Sequence, residues 1–89
     1  MDITKDVNMI TGVQIRAARF ALRLSAQELA KRAKVSLPTI QRFEQVDGVP
    51  PSRSSTLIDV RRALEAEGIE FIGTPDDSPG IRVTRGSTR

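Results

Sequence analysis

The stretch SAQELAKRAKVSLPTIQRFEQ, residues 25–45, decides the fold of this 89-residue chain. Ser25 is followed by Glu28 in the S-x-x-E pattern of a capping box, which predicts the start of a helix. Ser36 predicts the start of another, with Pro38 in its first turn, where a missing N–H costs little. Only about three residues separate the two helices, so they are expected to cross at a steep angle.

Apolar residues at helical spacing predict which face of each helix is buried. In the first helix these residues are Leu29, Ala30 and Ala33, and in the second they are Ile40 and Phe43. The remaining side chains of the second helix therefore lie partly or wholly outside the core.

A further helix is predicted upstream, from the N-cap residue Thr11 to about Arg23. Its buried stripe is predicted from apolar residues that recur at helical spacing, namely Val13, Ala17, Phe20 and Ala21. Arginines cannot all share that stripe, so three of them are expected on or beside its solvent side, namely Arg16, Arg19 and Arg23.

Downstream, a loop with one glycine and two prolines, residues 47–54, leads to a helix predicted from Ser55 or Thr56 to Glu67. Gly68 is placed as the residue after the helix end, where a positive φ is needed. The core stripe of this helix is expected from Leu57, Val60 and Leu64.

The chain ends in two short β-like runs, residues 69–72 and 81–84, separated by GTPDDSPG. The predicted fold class is therefore mainly α, with about four helices and a short C-terminal β-hairpin or strand pair. We predict three segments: a flexible lead-in (1–10), a helical unit (11–68) and a short β tail (69–89).

Composition excludes several classes of protein. The chain has no cysteine or histidine, which removes disulfides, thiol chemistry, zinc knuckles and imidazole catalysis. The only adjacent acidic pair, Asp76–Asp77, lies in a turn-rich segment and is typical of a turn. We therefore expect no enzyme, no cofactor and no metal site. Without Trp or Tyr, base stacking on single-stranded nucleic acid is not expected either.

No apolar run approaches the roughly 18 residues of a membrane helix, and no signal peptide pattern is present. We therefore expect a cytoplasmic protein with no membrane partner. Residues 12–53 carry eight basic and three acidic groups, a net charge of +5, whereas the rest of the chain carries −2. This concentration indicates either a phosphate-facing surface or a solvated helical surface that is basic.

Within residues 14–45, L-S-x-x-E-L-A from Leu24 and V-S-x-x-T-I-x-R-x-E from Val35 resemble the Cro and phage-repressor type of helix-turn-helix, the xenobiotic response element family. The resemblance implies a lambda-repressor-like bundle that binds double-stranded DNA in a sequence-specific manner. It also implies a small bacterial or phage-type transcriptional regulator, most simply a repressor, acting as a homodimer on the nucleoid. MITGVQIRAAR begins like many members, which makes Met9 a candidate start and residues 1–8 dispensable for stability.

Two positions depart from the family pattern. Lys34 occupies the turn where relatives usually have Gly, and the left-handed conformation costs Lys about 1 kcal/mol. Ala26 follows the Ser cap where relatives often have a Gln that touches phosphate. Gln27 could substitute, although it lies one position around the helix.

The resemblance implies that the residues that contact base edges lie in the first turn of the helix that follows Ser36, and one turn further along it. They are Leu37, Pro38, Thr39, Gln41 and Arg42. Arg42 is the sharpest candidate because its planar guanidinium can bond guanine O6 and N7 together. A salt bridge from Arg42 to Glu28 or Asp47, or simple solvation, is the alternative, and Gln41 could equally be a solvated helix residue.

Phosphate contacts are expected at the N-termini of the two motif helices and from side chains that flank them. The candidates are Arg16, Ser25, Gln27, Lys34, Ser36, Ser52 and Arg53. Arg61 and Arg62 lie on the later helix, where pairing with Glu65 is the simpler expectation.

The tail offers apolar side chains for dimerisation through the paired strands, namely Ile69, Phe71, Ile72, Ile81 and Val83. In the alternative, the strands fold back and close the core of their own helical body, with residues 85–89 disordered. A rival function is an antitoxin or adaptor whose tail binds another protein.

Overall fold

Four helices followed by a two-stranded antiparallel sheet make up the computed structural model, which describes residues 9–84. This confirms the predicted fold class. No helix in that range is long and apolar enough to cross a membrane. In chain order the elements are α1 (Gly12–Leu22), α2 (Ala26–Ala33), α3 (Leu37–Glu44), α4 (Ser54–Ala66), β1 (Ile69–Thr74) and β2 (Asp77–Val83).

The three N-caps predicted for the first three helices are confirmed. Thr11, Ser25 and Ser36 each accept a hydrogen bond from the backbone N–H three residues on. The Thr11 cap is a full capping box, because the Gln14 side chain accepts a bond from the Thr11 N–H at 2.8 Å. Helix α4 begins at Ser54, slightly earlier than expected, and its N-cap residue Arg53 makes no side-chain cap bond.

Helices α1 and α2 both end on a non-glycine residue in the left-handed region. Lys34 has φ 60°, as its place in the turn predicted, and Arg23 has φ 59°. Each donates its N–H back to carbonyls of the preceding turn. Gly68, after α4, has φ 101° and confirms the predicted positive φ.

The core is built from all four helices and the first strand. The predicted inward residues of α2, α3 and α4 are all buried. Ile10 is 1% exposed and Met9 packs against the core, so the predicted flexible lead-in of residues 1–10 extends too far. Residues 1–8, which bear on the expected start at Met9, and residues 85–89 lie outside the described range.

The predicted buried face of α1 is wrong. Val13 and Phe20 are 41% and 67% exposed, and Ala17 and Ala21 are exposed as well. The helix instead buries the stripe formed by Gln14, Ile15 and Ala18. Both stripes have apolar residues at helical spacing, and packing against α3, α4 and the sheet selects the second.

The hairpin is longer than the sequence predicted, since only Pro75 and Asp76 separate the strands. Gly73 (φ 75°) and Ser78 (φ 54°) take positive φ values beside the turn, and the register shifts between Ile72 and Thr74. A bulge of this kind lets pairing continue into a segment rich in turn residues.

The hairpin lies on its own helical body, as the alternative for the tail predicted. Ile69 is buried in the core, and Phe71 and Ile81, which pair across the strands, pack against it. Gln14 of α1 donates its side-chain N–H groups to the carbonyls of Ile72 (3.2 Å) and Gly80 (2.8 Å). The tail is therefore part of the same folded unit as the helices.

Candidate nucleic-acid interface

At the N-terminus of α2, the backbone N–H groups of Ala26 and Gln27 have no acceptor within the helix, whereas those of Ser25 and Glu28 are used in the cap. Ser25 Oγ accepts a bond from the Glu28 N–H (3.0 Å), and Glu28 Oε1 accepts one from the Ser25 N–H (2.7 Å). The Ser25 N–H and hydroxyl lower the pKa of Glu28, which stays ionised. The N–H groups of Ala26 and Gln27 have no intrahelical acceptor and remain available to an anion.

At the N-terminus of α3, the capping hydrogen bonds engage Ser36 and Thr39, two of the residues predicted to contact DNA. Ser36 Oγ accepts a bond from the Thr39 N–H (3.2 Å) and lies 2.8 Å from Thr39 Oγ1. Thr39 is half-buried, and Leu37 is half-buried against the core. Pro38 lies exposed beside them.

Arg42 and Gln41 lie exposed one turn further along α3. Within residues 9–84 the Arg42 side chain makes no ion pair. Both acids considered as ion-pair partners of Arg42 have other partners. Glu28 Oε1 accepts the Ser25 N–H at the start of α2, and Asp47 Oδ1 lies 3.2 Å from Arg16 Nη2. A guanidinium that is exposed and unpaired on the outer face of α3 is free to make a bidentate contact.

Flanking cations lie on the turn before α3 and the loop before α4. In the described chain the side chains of Lys34 and Arg53, both exposed, make no ion pair or hydrogen bond. Ser52 is exposed, and its hydroxyl donates to the Arg53 carbonyl at 3.1 Å. These three residues keep the exposure that phosphate contact requires.

Arg16 is placed differently from the other expected phosphate ligands. Its guanidinium donates to the carbonyl of Glu44 and to the carboxylate of Asp47. The Arg16 side chain is one third exposed. It therefore ties α1 to the end of α3 and is less free to reach DNA than Lys34 or Arg53.

Sequence reasoning missed the pair that holds α3 in place. Arg19 of α1 donates to both carboxylate oxygens of Glu44 at 2.7 and 2.8 Å, and to the carbonyl of Leu24. The hydrogen bond to Glu44 raises the pKa of Arg19, against desolvation. No signal in a single sequence links two residues this far apart. By contrast, the T-x-x-Q pattern at Thr11–Gln14 could have identified Gln14 as a capping residue.

The tail residues named for dimerisation are divided between the core and the surface. Ile69, Phe71 and Ile81 face the helical body, Ile72 is half-buried, and Val83 is 46% exposed. On the outer face, Arg82 pairs with Glu70 at 2.9 Å. The apolar area that the tail can offer a partner is therefore small.

The described residues contain no group of three or more acidic, histidine or cysteine side chains placed to hold a metal ion. No protein-family model and no curated protein matches the chain.

Proposed function

We propose that this chain is a sequence-specific duplex-DNA-binding protein, a small bacterial or phage-type transcriptional regulator that acts in the cytoplasm. The observation that carries the proposal is Arg42, which is exposed and makes no ion pair within residues 9–84. It lies on α3, whose C-terminal end is fixed by the ion pair between Glu44 and Arg19 of α1. α3 enters the major groove, where Arg42 bonds a guanine edge and Pro38 and Gln41 lie beside it.

Phosphate contacts orient the domain on the duplex. The free N–H groups of Ala26 and Gln27 bind one backbone phosphate, and Lys34 and Arg53 bind others on either side of α3. The capping carboxylate of Glu28 lies beside the first of these sites. Glu28 lowers the anion affinity of that helix end, so most of the affinity comes from the free cations.

A selection from a pool of random duplexes, followed by sequencing of the bound fraction, tests the proposal. One helix-turn-helix covers one half-site, so the regulator acts as a homodimer on two half-sites about 34 Å apart. Contact with about 6–8 phosphates gives a log–log salt slope of about −5 to −7. A slope near zero, or a preference for single strands, would refute DNA binding of this kind.

Two substitutions separate base reading from phosphate binding. Arg42→Ala is expected to cost about 1–3 kcal/mol on the best site and to flatten the preference at one base position. Lys34→Ala is the matched control, because it removes an exposed cation that we assign to phosphate and weakens all sequences alike. An unchanged consensus with Arg42→Ala would show that another face of α3 reads the bases.

The rival in which the tail binds another protein has less support. The apolar side chains of Ile69, Phe71 and Ile81 pack on the chain's own body. A protein partner at the tail would have to use the outer face, where Glu70 and Arg82 pair with each other.

A further inference from the structure

Helix α1 is apolar on two opposite faces, and the structure covers only one. Ile15 and Ala18 are fully buried, whereas Val13, Ala17, Phe20 and Ala21, which we name the outer stripe, are exposed. Adjacent apolar side chains that remain exposed together on one helix face are typical of a binding surface, so the outer stripe indicates one.

We propose that a second copy of this chain covers the outer stripe, with the two α1 helices packed antiparallel across a two-fold axis. The inference rests on the proposed function, which requires two copies on one operator. It moves the dimer contact from the tail to α1.

The stripe fits a copy of itself. At a rise of about 1.5 Å per residue, Val13 lies about 6 Å to one side of Ala17 and Phe20 about 4.5 Å to the other. An antiparallel copy centred near Ala17 therefore sets each Phe20 against the other copy's Val13. The small Ala17 side chains let the helices approach closely. The ring of Phe20 is oriented by Arg19, whose guanidinium carbon lies 4.8 Å from the ring centroid.

The same two-fold axis turns both reading helices to one side. Gly12, Arg16 and Arg19 contact the end of α3 from one flank of α1, and Gln14 contacts the hairpin from the opposite flank. A two-fold axis perpendicular to α1 in the plane of the interface keeps each flank on its own side. Both α3 helices then lie on one side and both hairpins on the other, which is the arrangement that two half-sites on one duplex require.

Charges at the ends of the stripe are complementary in this arrangement. Arg23, at the end of α1, is exposed and makes no ion pair within residues 9–84. The Gly12 N–H donates to the carbonyl of Gly48, so the loop with Asp47, whose side chain is 89% exposed, lies at the start of α1. Antiparallel packing brings each Arg23 to the other copy's Asp47, whose exposed carboxylate can accept a second cation beside Arg16.

The exposed area makes this a weak dimer. Phe20 leaves roughly 130 Å² exposed, and the whole outer stripe leaves a few hundred Å² per copy. A stable interface buries about 800 Å² per partner. Self-association is therefore weak in free solution, and binding to adjacent half-sites strengthens it by raising the effective concentration of one copy at the other.

Cysteine cross-linking without DNA tests the packing at a protein concentration high enough to populate a weak dimer, because the natural chain has no cysteine. Ala17→Cys lies next to the two-fold axis and is expected to form an intermolecular disulfide at least about tenfold faster than Ala66→Cys, an exposed alanine of α4. Val83→Cys reports on pairing through the tail. Equal rates for Ala17→Cys and Ala66→Cys, or a faster reaction at Val83→Cys, would overturn the proposal.

Phe20→Glu provides the second arm. In the Ala17→Cys background it is expected to slow cross-linking to the Ala66→Cys rate, with an unchanged melting temperature because Phe20 is largely exposed. On duplexes from the selection, it weakens binding to two half-sites by at least about 30-fold and leaves binding to one half-site unchanged. Equal loss on both duplexes would place Phe20 in DNA binding and overturn the dimer. Rapid cross-linking of a chain that binds no DNA would instead refute only the proposed function.

Discussion

The ion pair between Arg19 and Glu44 is the strongest test of how the helices are held together. The two side chains are 15% and 10% exposed and share two hydrogen bonds, and Arg19 also bonds the Leu24 carbonyl. Arg19→Met removes the cation and leaves the Glu44 carboxylate mostly buried without it. Glu44→Leu does the reverse.

The magnitude follows from burial. Breaking a fully buried pair costs about 3–5 kcal/mol, and the residual exposure of this pair reduces the cost to about 2–3 kcal/mol for either single variant. The double variant removes both charges and keeps an apolar contact. It is expected within about 1 kcal/mol of the natural protein, which corresponds to a coupling energy of about 3 kcal/mol or more.

Urea denaturation followed by circular dichroism measures these free energies of unfolding, since the chain has no Trp or Tyr to report by fluorescence. Glu70 and Arg82 provide a matched control pair on the hairpin surface, with side chains 50% and 62% exposed and an expected coupling of about 0–1 kcal/mol. Additive effects of Arg19→Met and Glu44→Leu would refute the reasoning, because they would show that neither charge depends on the other.

Three further predictions concern stability. Gly12→Ala is expected to cost about 3 kcal/mol or more in urea denaturation, because the new Cβ would lie 1.9 Å from the Val46 carbonyl oxygen, whereas Gly48→Ala, with open space around its Cβ, has no such cost. Ile10→Ala is expected to lower the free energy of unfolding by about 2–5 kcal/mol, because Ile10 is buried in the core. A loss under about 1 kcal/mol, as surface substitutions give, would contradict that burial. Hydrogen bonds from Ser25 hold the pKa of Glu28 below its ordinary value of 4.5. The stability that Glu28 adds to the folded protein is therefore complete above pH 4.5 and is lost as the pH falls through the lower folded pKa. Melting curves of Glu28→Gln are expected to show a weaker acid dependence, and curves identical to those of the natural protein would exclude this contribution.

Local signals in the sequence predicted most of the helical unit correctly. The caps at Thr11, Ser25 and Ser36 depend on residues within one turn, so the sequence contains all the information that sets them. The same holds for the positive φ at Lys34 and Gly68. For the candidate site, the sequence predicted Arg42 outside the core, because the spacing of Ile40 and Phe43 fixes which face of α3 is outward.

Contacts between distant residues could not be predicted in the same way. α1 has two apolar stripes, and periodicity alone does not say which one meets the core. The choice depends on Gly12, where the backbone of α1 meets that of the loop after α3, and on Gln14, which bonds the hairpin. The hairpin was predicted too short because Gly73 allows a bulge that continues the pairing past the turn residues.

The orientation of α3, the proposed reading helix, depends on residues of α1, the helix that precedes α2 and α3. The C-terminal end of α3 is bound by Arg16 and Arg19 and approached by the backbone of Gly12, all from α1. Arg42 lies two residues before Glu44, so a shift of the C-terminal end of α3 would also shift the Arg42 guanidinium relative to the base edges that we propose it contacts. Because a bidentate contact tolerates little displacement, loss of the Arg19 contact is expected to weaken discrimination at the Arg42 position without any direct contact to DNA. If the proposed dimer forms on DNA, α1 supports the core with one face, α3 with a second, and the second copy of the chain with the third.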